Sequence, residues 1–378
     1  MESFLGAFER YLPGEVQYIN TIFRVIPIHI LLQNYDYVFI THSASVPWNR
    51  NTYKIKKQII QKICSLGEKK IIFFQDEYFN TDLIEDLVNS IDFDCVYSVA
   101  PESEWGKIYP NLDKSKFKSY LTGYIDSDDL RKYEDLLNVD RKIDIGYRTA
   151  EHNKGMYKLG DLGRLKSEIG LRFLDYSENL SMDIALGRKF LKGNDWFKFL
   201  LNCRFTLGAE SGSSILDRNG AIQGKIRSIV EDNKDFSYEE IMKEVVDKDN
   251  SMNFSAISPR IFEAAILKTG LILVKGQYNN VLKENIHYIP VEKDFSNIKD
   301  VIEIAKDEKN RVRMVNSVYN DIVLSKKYTY KSFIEKLMKD NIIEPKFKDY
   351  KSCSFWFYIN KVHNKLMFIT IKILRLIV

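Results

Sequence analysis

The sequence predicts an α/β protein made of two successive units, each a parallel sheet flanked by helices. Two observations predict it. Short β-rich apolar runs alternate with segments of helical period over the first 140 residues, and the alternation restarts near residue 142. A length of 378 residues accommodates two such units, and 45% hydrophobic beside 29% charged residues supplies a core for each.

In the first series Tyr37-Val38-Phe39-Ile40 reads as a strand ending in Thr41-His42-Ser43. Ile55, Ile59, Ile60 and Ile63 then recur at helical spacing, so residues 53–66 read as a helix that Gly67 ends. Residues 70–74 form the next strand, leading into Gln75-Asp76-Glu77, and a helix at 83–91 precedes a strand at 95–99. In the second series a strand at 142–147 is followed by a helix at 164–173 and a strand at 204–208. Ser258-Pro259 then opens a helix: Ser258 suits the N-cap, Pro259 the first helical position, and Gly270 the left-handed C-terminal position. Leu271-Ile272-Leu273-Val274 reads as a buried parallel strand, followed by a short strand at 286–291 and a helix at 298–307. Asn219-Gly220 reads as a hairpin turn. With a seam at 138–142, the pattern gives two Rossmann-like domains facing a cleft, residues 1–140 and 141–330, and a C-terminal helical tail at 331–378.

The helix opened by Ser258 carries the sharpest chemistry. Arg260 and Glu263 are three apart, so they share a face near its N-terminal mouth, and Ile261 occupies the position a capping-box glutamate would need. Free amides and an arginine suit a diphosphate, and a carboxylate suits two ribose hydroxyls. A solvated surface pair is the plainer account of the same spacing. This stretch, Arg260-x-Phe262-Glu263-Ala264-Ala265 with Gly270 beyond, resembles the donor-binding helix of GT-B glycosyltransferases of the bacterial group-1-like family. Many retaining members place a second glutamate eight positions earlier; here that residue is Ser255.

The resemblance implies a transferase that moves a sugar from a nucleotide-sugar to a glycan or lipid-linked acceptor, in cell-surface polysaccharide synthesis. It implies the N-terminal domain as the acceptor side and the C-terminal domain as the donor side. Arg260, Glu263 and Ser258 become donor-binding candidates, joined by Arg148, His152 and Arg164 from the glycine- and cation-rich segment 147–166. Asp76, Glu77 and His42 end predicted strands of the first domain and are candidates for a general base, although capping of the following helix is the plainer account of each. Glu210, in Gly208-Ala209-Glu210-Ser211-Gly212, is a candidate for a sugar hydroxyl or a base. A sugar-nucleotide epimerase and a non-catalytic glycan- or nucleotide-binding partner are the alternatives. Asp126-Ser127-Asp128-Asp129 resembles the DxD metal motif of a different glycosyltransferase fold, but it precedes a helix and reads as acidic capping, so neither metal nor cofactor is expected.

A net charge of only +4 implies no nucleic-acid partner. Cys64, Cys95, Cys203 and Cys353 form no CxxC pair, and neither a signal peptide nor a run of about 20 apolar residues is visible, so a cytoplasmic protein with free thiols is expected. Residues 355–378 carry Lys361, Lys365, Lys372 and Arg375 among apolar side chains and no acids, which suits peripheral contact with an anionic membrane at the inner face of the cell membrane, or packing back over the N-terminal domain.

Overall fold

The structure is a computed structural model that describes residues 2–21, 26–45, 50–133, 139–150, 157–187, 191–232, 237–244 and 251–343, with Val362 and Leu366. The expectations for His152, Cys353 and the basic run at 355–378 therefore lie outside the described residues, apart from Val362 and Leu366.

Two parallel sheets form, as the alternation requires. The first contains β1 (Tyr35–Ile40), β2 (Gly67–Phe73), β3 (Cys95–Ser98) and β4 (Phe117–Ser119), in that spatial order. The second contains β5 (Ile143–Thr149), β6 (Met182–Leu186) and β7 (Cys203–Gly208). After the small antiparallel pair β8 (Ser211–Ser213) and β9 (Phe254–Ala256), β10 (Gly270–Val274) and β11 (Ile289–Val291) complete it. Its order is β11-β10-β7-β5-β6, with every pairing parallel. The architecture is the expected pair of Rossmann-like α/β units facing a cleft.

Both faces of the second sheet are covered, which explains the unbroken apolar run of its strand β10. Along β10, Leu271 and Leu273 enter a core shared with the helices Asn194–Asn202 and Pro259–Ile266. Ile272 and Val274 point the other way, into the core beneath the helices Gly160–Leu174 and Ile298–Lys306.

Four local expectations change. Gly67 begins β2 rather than ending the preceding helix, which closes at Cys64. Gly270 is not the left-handed residue; Lys268 is, at φ 52°. Gly270 instead starts β10, where a Cβ would lie 2.5 Å from the Phe205 ring, so glycine is required there by close approach. Ser258 has the extended backbone of an N-cap, but its hydroxyl makes no capping hydrogen bond. Asn219-Gly220 forms no hairpin: the Asn219 side chain accepts from the Ala221 amide at 3.1 Å at the start of the helix Ala221–Asp232.

Asp126 does cap, accepting from the Asp128 amide at 3.0 Å, and its carboxylate also takes both Arg10 nitrogens at 3.1 Å. Among the described residues, Cys64, Cys95 and Cys203 are free and buried, and no helix is long and apolar enough to cross a membrane.

The chain returns to the first unit at its end. Ile125 and Thr329 form an isolated parallel bridge, and the helix Tyr330–Asn341 follows, opened by a capping box between Thr329 and Ser332. Phe333, Ile334 and Leu337 are buried in the core of the first sheet, where Phe333 stacks on Tyr124 at 4.7 Å and meets Phe4. The start of the predicted tail is thus part of the N-terminal core. Phe333→Ala should lower unfolding free energy by about 3–5 kcal/mol through the cavity it leaves. Denaturant titration checks this, and a loss within experimental error would show the helix to be dispensable.

Candidate active site

The carboxyl ends of both sheets open onto one cleft, with a cavity of ≈ 200 Å³. Gln75 and Asp76 follow β2, Val99 follows β3 and Thr122 follows β4; facing them are Thr149 at the end of β5, Ser211 and Gly212 in β8, Gly163 and Lys166 of the helix Gly160–Leu174, and Pro259. In the second sheet the connections reverse direction between β5 and β7, because β6 lies on one side of β5 and β7 on the other. Open parallel sheets bind ligands in the crevice at that reversal. Thr149 stands at its lip.

The cleft wall is held tightly. Gly212 has φ 136°, and a Cβ there would lie 1.7 Å from the Phe254 carbonyl, so only glycine allows β8 and β9 to pair. Phe254 and Tyr78 both line the cleft and meet edge to face at 5.3 Å.

Two charges of opposite sign face one another across this space. Asp76, on the first unit, has the left-handed φ of 59°, a strained conformation of the kind found at working sites. Burial pushes its carboxyl above the usual range, while the Tyr78 hydroxyl, Lys166 and Lys158 pull it back down. Lys166, on the second unit, donates to the Ser211 hydroxyl at 2.7 Å. Burial lowers its ammonium to about 8, repulsion from Arg260 adds to the fall, and attraction to Asp76 opposes it.

The remaining candidates are placed as follows. Glu77 is fully buried beneath the first sheet, accepting from Ser98 at 2.6 Å, Tyr109 at 2.5 Å and the Val99 amide at 3.1 Å. Its carboxyl rises to about 7 because burial outweighs those bonds. His42 packs against Phe4 at 5.4 Å in the N-terminal core, and burial lowers it to about 4. Glu210 is buried and accepts from the Tyr278 amide at 2.7 Å, closing the loop after β10. Arg148 donates to the Asp183 carbonyl and carboxylate, each at 2.7 Å, and stacks on Phe199. Arg164 pairs with Asp161 at 3.2 Å and lies over Tyr238.

Arg260 and Glu263 meet through a third residue. Trp196, of the helix Asn194–Asn202, donates from Nε1 to Glu263 at 2.8 Å, and the Arg260 guanidinium lies over its ring at 5.4 Å. Arg260 also donates to the Arg148 carbonyl. Burial raises the Glu263 carboxyl, against the pull of Trp196 and Arg260. Of the predicted residues, the structure brings Asp76 to the cleft, with Arg260 and Ser258 on either side of the cleft-lining Pro259. Gln75, Tyr78, Thr122, Thr149 and Ser211 are cleft residues that the sequence reading did not select. Their signal was position alone, at or just beyond strand ends.

No family model matches the chain, and no curated protein matches it. Solved structures similar to it include Anabaena HepE in complex with UDP-glucose, at TM-score 0.44 and 9% identity, covering 81% of this chain and 79% of that one. An alpha-glucosyltransferase in complex with UDP-glucose and DNA matches at TM-score 0.45 and 12% identity, covering 82% and 80%. Sucrose-phosphate synthase from Thermosynechococcus elongatus matches at TM-score 0.41 and 10% identity, covering 82% and 74%. Likeness at this level assigns no residue a role.

The electrostatics make a test. Lysine in an unfolded chain titrates near 10.4, roughly two units above Lys166 in the fold. The unfolded chain therefore binds the extra proton between about pH 8 and 10.5, so this residue's contribution to stability rises through that window. An anion held by the ammonium shows the opposite trend, because the charge it needs is lost above about 8. Sulfate, whose own charge is constant here, should bind about tenfold more weakly at pH 9 than at pH 7 in the native protein and with little pH dependence in Lys166→Met. Parallel pH profiles for the two proteins, by calorimetry, would count against the assignment.

Proposed function

We propose that this protein is a glycosyltransferase that moves a sugar from a nucleotide-sugar to a hydroxyl of a glycan or lipid-linked acceptor. Cell-surface polysaccharide synthesis is the setting we propose for it. One observation carries the reading: a carboxylate on one unit, Asp76, faces an ammonium on the other, Lys166, across a cleft at the strand-order reversal. Transfer from a nucleotide-sugar with inversion at the anomeric carbon uses those two functions on opposite sides of that carbon.

In this reading Asp76 takes the proton of the acceptor hydroxyl as that oxygen bonds to the anomeric carbon. The bond from the anomeric carbon to the phosphate oxygen breaks, and the diphosphate leaves with its charge matched by Lys166, Arg260 and the positive end of the helix Pro259–Ile266. Glu263, held by Trp196, serves the ribose. Because side chains and the helix end neutralise the diphosphate, transfer needs no divalent metal, and turnover should survive a chelator. Loss of turnover restored by a divalent ion would contradict this.

A thermal-shift panel of nucleotide-sugars identifies the donor, since a ligand that binds only the folded state raises its melting temperature. Free nucleotide diphosphate should then appear only when acceptor is present; a donor sugar altered without acceptor would instead mark an epimerase. Asp76→Asn should lower kcat by about 10²–10⁴-fold with donor affinity retained. Arg260→Ala should weaken nucleoside diphosphate binding by about 10-fold or more and nucleoside binding little, as expected for a lost charge-assisted bond to phosphate. Equal losses for the two ligands would point to a folding defect instead.

The basic apolar run at 355–378 suits reversible contact with the cytoplasmic face of an anionic membrane, near lipid-linked acceptors. Its deletion should release the protein from anionic vesicles while leaving donor binding intact. Unchanged vesicle binding would reject that contact.

A further inference from the structure

Tyr78 is contacted by three parts of the molecule. Its side chain and the Asp76 carboxylate two residues earlier line the same cleft, the phenol draws that carboxyl down, and burial raises the phenol well above its ordinary value, so it stays protonated. Its ring is braced edge-on by Phe254 of β9 at 5.3 Å and an interplanar angle of 85°. Its carbonyl accepts from the Asp217 amide at 2.8 Å, and the Asp217 carbonyl in turn accepts from the Asn80 amide at 2.7 Å. Phe254 and Asp217 both belong to the segment between β7 and β10, so the loop that carries Asp76 is gripped by the opposite unit. The Asp217 carboxylate accepts from the Gln223 amide at 2.9 Å and the Ile222 amide at 3.3 Å, which fixes the bracing segment to the helix Ala221–Asp232.

We propose that Tyr78 is a positioning residue that transmits the placement of the donor-side unit to the carboxylate of Asp76. The inference rests on the reading of Asp76 as the proton acceptor in glycosyl transfer. A left-handed backbone leaves the Asp76 side chain without a neighbouring strand to orient it, and the hydroxyl two residues later supplies that orientation. The charged and titratable groups that face Asp76 are Tyr78 on its own loop, Lys166 on the helix Gly160–Leu174, Lys158 in the turn Tyr157–Leu159, and Tyr120 beyond β4. The phenol, Lys166 and Lys158 favour the ionised carboxylate, so removing the phenol leaves burial less opposed and raises the pH at which the base becomes active.

The test is a double-mutant cycle on the full chain with Tyr78→Phe, Asp76→Asn and the combined variant, read as kcat, donor affinity and the acid limb of the rate–pH profile. Tyr78→Phe should lower kcat about tenfold, keep donor affinity within about twofold, and move the acid limb upward. In the Asp76→Asn background it should cost nothing further, because its effect acts through the carboxylate. An unmoved acid limb, or losses that add in the combined variant, would overturn the proposal while leaving Asp76 as the base. Full activity in Asp76→Asn would remove the base reading and this inference together. If Tyr78→Phe fails to fold, Phe254→Leu carries the same test: removing the ring that braces Tyr78 should move the acid limb upward, and an unmoved limb overturns the proposal.

Discussion

The main-chain pairing of Asp217 with Tyr78 and Asn80 is the constraint on which the cleft depends. Two sheets joined only by linkers would be free to rotate, and residues at their strand ends would meet by chance. Here Asn80, Asp217 and Asp82 contribute amides to bonds of 2.7, 2.8 and 3.1 Å between the units. Arg218 adds an ion pair with Glu85 and a bond to the Ile108 carbonyl at 3.1 Å. Each neutral bond is worth about 1 kcal/mol net. The apolar contribution is larger, since Met252, Phe254 and Ala256 from the second unit are buried in the core of the first. The return of the helix Tyr330–Asn341 onto the first sheet closes the same connection from the other end of the chain.

That frame gives the charges in the cleft their character. Lys166 and Asp76 are both set back from solvent, so each is discharged more easily than it would be at the surface, and each supports the ionised form of the other. Arg260 works against Lys166, leaving more positive charge in the cleft than Asp76 alone can neutralise. An anionic occupant relieves that imbalance, and a diphosphate is such an occupant.

Much of the fold was legible because parallel strands buried on both faces are written as apolar runs. The runs at 37–40, 70–74, 204–208 and 271–274 all became strands. β4 (Phe117-Lys118-Ser119) is too short and polar to announce itself, and β6 lies at a sheet edge with every residue half-buried. The site was legible by position more than by role. Asp76 and Glu77 are neighbours with equal claims in the sequence, yet they lie beyond the end of β2, where the left-handed backbone of Asp76 separates one side chain in the cleft from one buried against Ser98 and Tyr109. Arg260 and Glu263 read as a direct pair, but the residue between them, Trp196, lies 67 positions before Glu263 and carries no local signal. Gly270 shows the same limit, because one residue type serves both a left-handed turn and a close backbone approach.

The most direct measurement of the central claim is amide hydrogen exchange with and without a saturating nucleotide-sugar donor. Binding at the strand-order reversal should slow exchange at the mouth of the helix Pro259–Ile266, around Lys166 and in β8, and should also slow it in the loop at 75–80, which belongs to the opposite unit but is gripped by the same strap. Protection confined to surfaces outside the cleft, with these segments unchanged, would contradict the account.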